Sequence, residues 1–228
     1  MERTQKPTHP AALTADPPVS ELSLRRSSRG QPAPEAARYP ALKPLCEVNE
    51  RCLELLVQDA RSARSGAFPL TVHLRALLTG LSPEMRMRAA RRSLLLVNME
   101  FSSISWWQNL IANPTRPAQL PPWRGSFPKA RAVQLARATL VVAWHSLRSN
   151  PSAACPMGMA RQVAPLIAAL TLTEIERIAE RRCRWLRPRW EDQPAVWRQL
   201  LRSAQSVDTR GARDFNLRGL QLLTGDLL

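Results

Sequence analysis

Leu166-Ile167-Ala168-Ala169-Leu170-Thr171-Leu172-Thr173-Glu174-Ile175-Glu176-Arg177-Ile178-Ala179-Glu180 is the stretch on which the reading of the fold turns. Its first five residues are apolar and run up to Thr171, a short polar side chain suited to a helix N-cap. Thr171 and Glu174 have capping-box spacing. In that arrangement the Thr hydroxyl accepts from the backbone of the third helical residue, and the Glu carboxylate accepts from the N–H of the cap. Beyond the cap, Leu172, Ile175, Ile178 and Ala179 recur at helical spacing and define one apolar face. The stretch therefore predicts the end of one helix, a short turn, and a second, basic helix over 172–185.

A comparable stretch lies upstream. Leu77-Leu78-Thr79-Gly80-Leu81-Ser82 aligns with Leu166–Thr171, and Ser82-Pro83-Glu84 supplies an N-cap with proline at the first helical position. Further on, Ala90 matches Ala179, Phe101 matches Trp190, Trp107 matches Trp197, and Leu110-Ile111 matches Leu200-Leu201. In the other direction Arg51-Cys52-Leu53-Glu54-Leu55-Leu56 parallels Arg137-Ala138-Thr139-Leu140-Val141-Val142. The offset drifts slightly along the chain, as small loop insertions produce. Each copy is expected to hold a long first helix (46–64; 130–149), a second helix ending at the cap, a basic third helix (83–97; 172–185) and a shorter segment carrying the tryptophan. Only the second copy continues, into a last helix around 211–223.

Proline marks the boundaries. Residues 1–44 contain Pro7, Pro10, Pro17, Pro18, Pro32, Pro34, Pro40 and Pro44 among Ser, Ala and Arg, and are expected to be a disordered tail. Residues 113–129 hold Pro114, Pro117, Pro121, Pro122 and Pro128, which forbid a continuous helix and predict a linker. The ordered parts are then 45–112 and 130–228. With only 8 Gly, few β-branched or aromatic runs, and abundant Leu, Ala and Arg, the predicted class is all-α, two similar helical lobes in tandem.

The chain carries 33 Lys and Arg against 18 Asp and Glu, a formal charge of +15, and Lys6, Lys43 and Lys129 are its only lysines. A field of this sign attracts polyanions: nucleic acid, an acidic lipid surface or an acidic partner protein. Cys46, Cys52, Cys155 and Cys183 form no C-x-x-C pair and lie apart from His9, His73 and His145, so no zinc site, other metal or cofactor is expected. His145 is read as a core histidine. No apolar run is long enough for a membrane span, and the first residues lack a signal-peptide core, which makes the cytoplasm the expected location. No phosphate loop, nucleophile elbow or H-E-x-x-H is present, and Glu191 and Asp192 are adjacent, so no enzymatic activity is expected.

The second half resembles FlhD, the family of flagellar transcriptional activator subunits. The resemblance runs from Leu140-Val141-Val142-Ala143-Trp144-His145-Ser146-Leu147-Arg148 through Ile167–Glu180. It includes the Ala-Ala-Leu-Thr-Leu segment at 168–172, the Ile-Ala-Glu helix end at 178–180, the hydrophobic–basic stretch at 185–201 and a final Leu-rich helix at 215–228. The first half resembles the family more faintly, through Glu47–Ala60 and Leu94–Trp107. The resemblance implies a bacterial, DNA-binding transcription factor subunit acting with a larger zinc-binding FlhC-like partner, which together recruit RNA polymerase to flagellar or mobile-element transfer genes. It also implies a pseudo-dimer within one chain, whose tether raises the effective concentration of the second half to roughly millimolar. The family cysteine that links subunits has no counterpart at Asn98, Arg184 or Trp185, so no such disulfide is expected.

On this reading the DNA-binding candidates are Arg181, Arg182, Arg184, Arg187 and Arg189, with Arg88, Arg91 and Arg92 from the first copy. Arginine neutralises phosphates and reads guanine edges bidentately. The bland account of the same residues is a solvated helix end interacting with the helix dipole. Trp107, Trp197, Leu220 and Leu223 are the expected interface residues, the tryptophans being read with Trp106 as packing side chains, core or interface anchors, and not as ligand platforms. The competing function is a helical adaptor or secretion-apparatus accessory protein whose basic surface meets an acidic partner without touching DNA.

Overall fold

The computed structural model describes residues 43–62, 69–113, 123, 125–206 and 209–227. In chain order these form α1 (Lys43–Arg61), α2 (Pro69–Thr79), α3 (Pro83–Ala90), β1 (Val97–Asn98), α4 (Ile104–Ala112) and α5 (Lys129–Ser149). A 3-10 turn (Pro151–Ala154) leads to α6 (Val163–Ala168), α7 (Leu172–Arg182), a second 3-10 turn (Cys183–Trp185), β2 (Arg187–Pro188), α8 (Pro194–Gln205) and α9 (Thr209–Leu227). The described chain is thus mostly helical, with one two-residue strand pair. Of the predicted tail, Lys43 and Pro44 instead make the first turn of α1, where proline is tolerated because that N–H has no helical partner. The rest of the tail and most of the predicted linker lie outside the described residues.

Local signals set the starts of α3 and α7. Ser82 Oγ accepts from the N–H of Met85 at 3.2 Å, with Pro83 at the first helical position. Thr171 Oγ1 accepts from Glu174 N–H at 3.3 Å while Glu174 Oε2 accepts from Thr171 N–H at 2.8 Å, completing the expected capping box. The backbone N–H and then the hydroxyl of Thr171 hold the Glu174 carboxyl below its ordinary range. The end of α3 is not local. The sequence predicts a helix to residue 97, but α3 stops at Ala90 because Asn49, fully buried on α1, takes over the backbone that follows. Asn49 Nδ2 donates to the carbonyls of Ala90 (3.2 Å) and Leu94 (2.8 Å), and its Oδ1 accepts from Leu96 N–H (2.8 Å). Those groups would have been paired internally by a longer helix. His145, expected in the core, lies on the exposed side of α5, whose buried side is Thr139, Leu140, Ala143 and Leu147.

The order of elements in 43–112 recurs in 129–205: a long helix, a shorter one, a capped helix, a short strand and a tryptophan-bearing helix. Within each half the first helix packs against the second and third, and α1 packs against α5 across the halves. The two strands pair antiparallel, Val97 with Pro188 and Asn98 with Arg187. Asn98 and Arg187 are the positions that the Ala90–Ala179 alignment makes equivalent, so this pairing is the one a two-fold axis would generate. Glu100 (φ 55°) and Trp190 (φ 54°) both adopt the left-handed conformation in the turns that follow. Trp107 Nε1 donates to Glu100 O at 3.0 Å, and Trp197 Nε1 donates to Arg189 O at 2.6 Å.

The tandem-lobe expectation needs correction. All described residues belong to one compact unit, because each half lends its last repeated helix to the other. Helix α4 packs on α6 of the second half, whereas α8 packs on α2 and α3 of the first. Trp106 meets Trp185 edge-on at 6.5 Å across the halves.

One side chain joins the two copies at the strand pair. Arg189 is only 5% exposed, and its Nε donates to Leu95 O (3.0 Å) while Nη2 donates to Val97 O (3.2 Å) and Met157 O (2.6 Å). Its own N–H donates to Leu96 O at 2.8 Å. Gly158, at φ +57°, lets the guanidinium pass, since a Cβ there would collide with it. Helix α9 closes the site from outside: Phe215 meets Trp190 edge-on at 6.2 Å, Gly219 lies against Leu94, and Leu223 reaches Gly158.

Arg189→Ala should therefore cost about 3 kcal/mol or more, since it strands several buried carbonyls at once. Arg189→Lys should recover little, an ammonium lacking the planar fork. Urea unfolding followed by tryptophan fluorescence measures both, and a lysine variant as stable as the parent would contradict the assignment. Thr171→Ala should cost about 1 kcal/mol at neutral pH. The carboxylate's lowered value makes its contribution full above the ordinary carboxylate range and lost as pH falls through that lowered value, so the Ala penalty should shrink in acid.

Candidate nucleic-acid interface

The arginines expected to touch DNA separate into two groups by burial. Arg92 and Arg189 are each 5% exposed and serve the fold, so their assignment as DNA contacts is corrected. Arg92 Nη2 donates to Ser203 Oγ at 3.0 Å, near the end of α8. Arg88 is half-buried beside it, with Nε donating to Ala204 O at 2.8 Å. Both therefore bind the C-terminal turn of the exchanged helix, whose unpaired carbonyls attract a cation. The equivalent residues of the second copy, Arg177 and Arg181, line a small cleft with Leu110, Ile111 and Asn113 at the end of α4. The helix-dipole account thus holds for Arg88 and Arg92, though the dipole belongs to a helix of the other half.

The remaining candidates reach solvent. Arg181 is exposed in the last turn of α7, and Arg184 is half-exposed in the 3-10 turn that follows. Arg187, on β2, is 47% exposed and pairs with Glu191 at 3.0 Å. Arg182 is half-buried, its Nε enclosed. Arg91 is exposed at the end of α3, with Nη2 3.1 Å from Met87 Sδ. The sequence pattern thus places a basic strip along the end of α7 and β2, and the fold removes Arg189 from it. The strip offers cations and no nucleophile or acid–base pair, which suits electrostatic contact with phosphates.

The expected interface residues are also divided. Trp107, Trp197 and Leu223 are buried inside the chain, at 0%, 1% and 2% exposure, so they cannot meet a partner in this conformation. Trp107 stacks with Phe101 at 6.0 Å and lies edge-on to Trp106 at 5.1 Å. Leu220 does reach the surface, and Leu217, which the sequence pattern does not single out, is the more exposed of the two. Both lie on the outer face of α9 with Arg213 and Arg218. Sequence reasoning also misses Arg51, Arg131 and Arg137, exposed on α1 and α5 and lining one groove. The alignment of Arg51 with Arg137 is the signal that could have found them.

Among the described residues no group of three His, Cys, Asp or Glu side chains could hold a metal ion. Among them, too, no helix is long and apolar enough to cross a membrane. Cys52 and Cys183 are buried, which pushes both thiols up, whereas Cys155 is exposed. No family model, curated protein or solved structure matches the chain.

A disulfide-exchange reagent should therefore label Cys155 promptly in the native protein and leave Cys52 and Cys183 until unfolding. Mass spectrometry of the labelled peptides reads this directly, and early modification of Cys52 would argue against the packing of α1.

Proposed function

We propose that the chain is a non-enzymatic transcriptional activator subunit that binds DNA in a complex with a larger zinc-containing partner of the FlhC type. The observation that carries the reading is the basic strip along the end of α7 and β2, in which Arg181 and Arg187 are exposed and Arg184 is half-buried, whereas Arg92 and Arg189 are buried. The reciprocal exchange of α4 and α8 supports it, because two FlhD-like units interlocked in this way act as one rigid pseudo-dimer. Such a body organises a partner and adds phosphate contacts, while the partner reads the bases. A cytoplasmic location and a role at flagellar or transfer-gene promoters, with recruitment of RNA polymerase, belong to the same proposal. The exposed leucines of α9, Leu217 and Leu220, near Arg213 and Arg218, favour a protein partner beside the DNA.

Binding of a labelled promoter duplex, with and without a co-expressed four-cysteine partner, tests the proposal. Arg184→Ala with Arg187→Ala should weaken binding and flatten the log–log salt dependence by about 0.9 for each phosphate no longer neutralised. Absence of any duplex binding, alone and with the partner, would overturn the activator reading in favour of the adaptor.

A further inference from the structure

Helices α1 and α5, the first elements of the two copies, pack together and leave a groove of about 490 Å³ between them. Arg51, Glu54 and Leu55 line it from α1, and Arg131, Gln134, Leu135, Arg137 and Ala138 line it from α5. Positions 51, 54 and 55, like 131, 134, 135 and 138, lie on a single helix face, so two rows of side chains confront each other. All three arginines are exposed and outnumber the one carboxylate of the lining, Glu54, which stays charged although it accepts from Gln58 Nε2 at 3.2 Å. Arg131 Nη1 lies 3.4 Å from Gln134 Oε1, a neutral partner that leaves its charge uncompensated.

We propose that Arg51, Arg131 and Arg137 form a phosphate-binding groove for duplex DNA between α1 and α5. Two arguments favour this over a solvated face. Cations converging on one concavity repel one another, and a polyanion relieves that repulsion where scattered surface charge would have none to relieve. Second, Arg51 and Arg137 are equivalent positions of the two copies. The two strands of a duplex are themselves related by two-fold axes, so equivalent side chains of a two-fold body meet both backbones alike. The inference rests on the reading that the chain works on DNA. It assigns the contact to a face remote in sequence from the α7–β2 strip and implies backbone positioning without base reading.

The test uses the full chain, a fluorescein-labelled DNA duplex and a salt series read by anisotropy. Arg51→Ala with Arg137→Ala should weaken binding at every salt concentration and flatten the log–log slope by about 1.8. Arg51→Lys with Arg137→Lys should keep the parental slope, since charge is preserved. The single variant Arg131→Ala, flattening it by about 0.9, covers the case in which the double variant fails to fold. If Arg184→Ala with Arg187→Ala weakens binding while all groove variants match the parent, the groove proposal is overturned and the activator reading stands. A parent chain that binds no duplex even at low salt overturns both. Loss of binding to phosphatidylserine vesicles on groove substitution, with duplex binding intact, would overturn the proposal in favour of a lipid surface.

Discussion

The buried guanidinium of Arg189 is the constraint around which the rest of the molecule is arranged. Taking an arginine out of water costs several kcal/mol, which is offset here by hydrogen bonds placed on its fork and by the Trp190 ring 5.9 Å from its Cζ. Here the partners are main-chain carbonyls from both halves, Leu95 and Val97 on one side and Met157 on the other. Those carbonyls belong to irregular segments that have no helix or long strand to satisfy them. The arrangement is mutual: the loops need the donors, and the charge needs the acceptors. The glycine at 158 accompanies it, since a Cβ there would collide with the guanidinium and with Leu223 of α9.

Around that point the two copies of the helical unit are interlocked. Because α4 and α8 are each packed on the opposite half, neither half keeps a complete core when separated from the other. Trp107 and Trp197 sit at the base of these exchanged helices, and each anchors its indole N–H to a carbonyl in the turn following a short strand. Burying rings of this size contributes a large share of the packing energy, and deletion of such a side chain typically costs about 3–5 kcal/mol. The exchange also explains the division of labour among the arginines. Arg88 and Arg92 meet the end of an incoming helix, where free carbonyls and the dipole favour a cation, so part of the basic sequence is used inside the protein.

What remains outside is therefore the more informative part of the charge. Arg181, Arg184 and Arg187 follow one another along α7 and β2, and Arg51, Arg131 and Arg137 converge between α1 and α5. Both groups carry the chemistry that meets phosphate oxygens: delocalised, permanently charged and rich in donors. Under the proposed function, such a subunit would add affinity and register to a DNA complex, with sequence discrimination supplied by its partner. In the proposed activator, this surface sits on a two-fold body able to hold a partner in one orientation.

The sequence by itself determined the starts of α3 and α7 and the predominance of helix. These depend on contacts within a few residues: a hydroxyl reaching the third residue of its own helix at Ser82 or Thr171, and apolar side chains recurring every turn at Leu172, Ile175 and Ile178. Only the tertiary structure decided where α3 ends, on which half α4 and α8 pack, and which arginines face water. Asn49 stops α3 from 41 residues away, and Arg189 finds its carbonyls up to 94 residues away. A side chain's burial is a property of what the rest of the chain packs against it, and two arginines two positions apart, Arg187 and Arg189, look alike until β1 arrives to cover one of them.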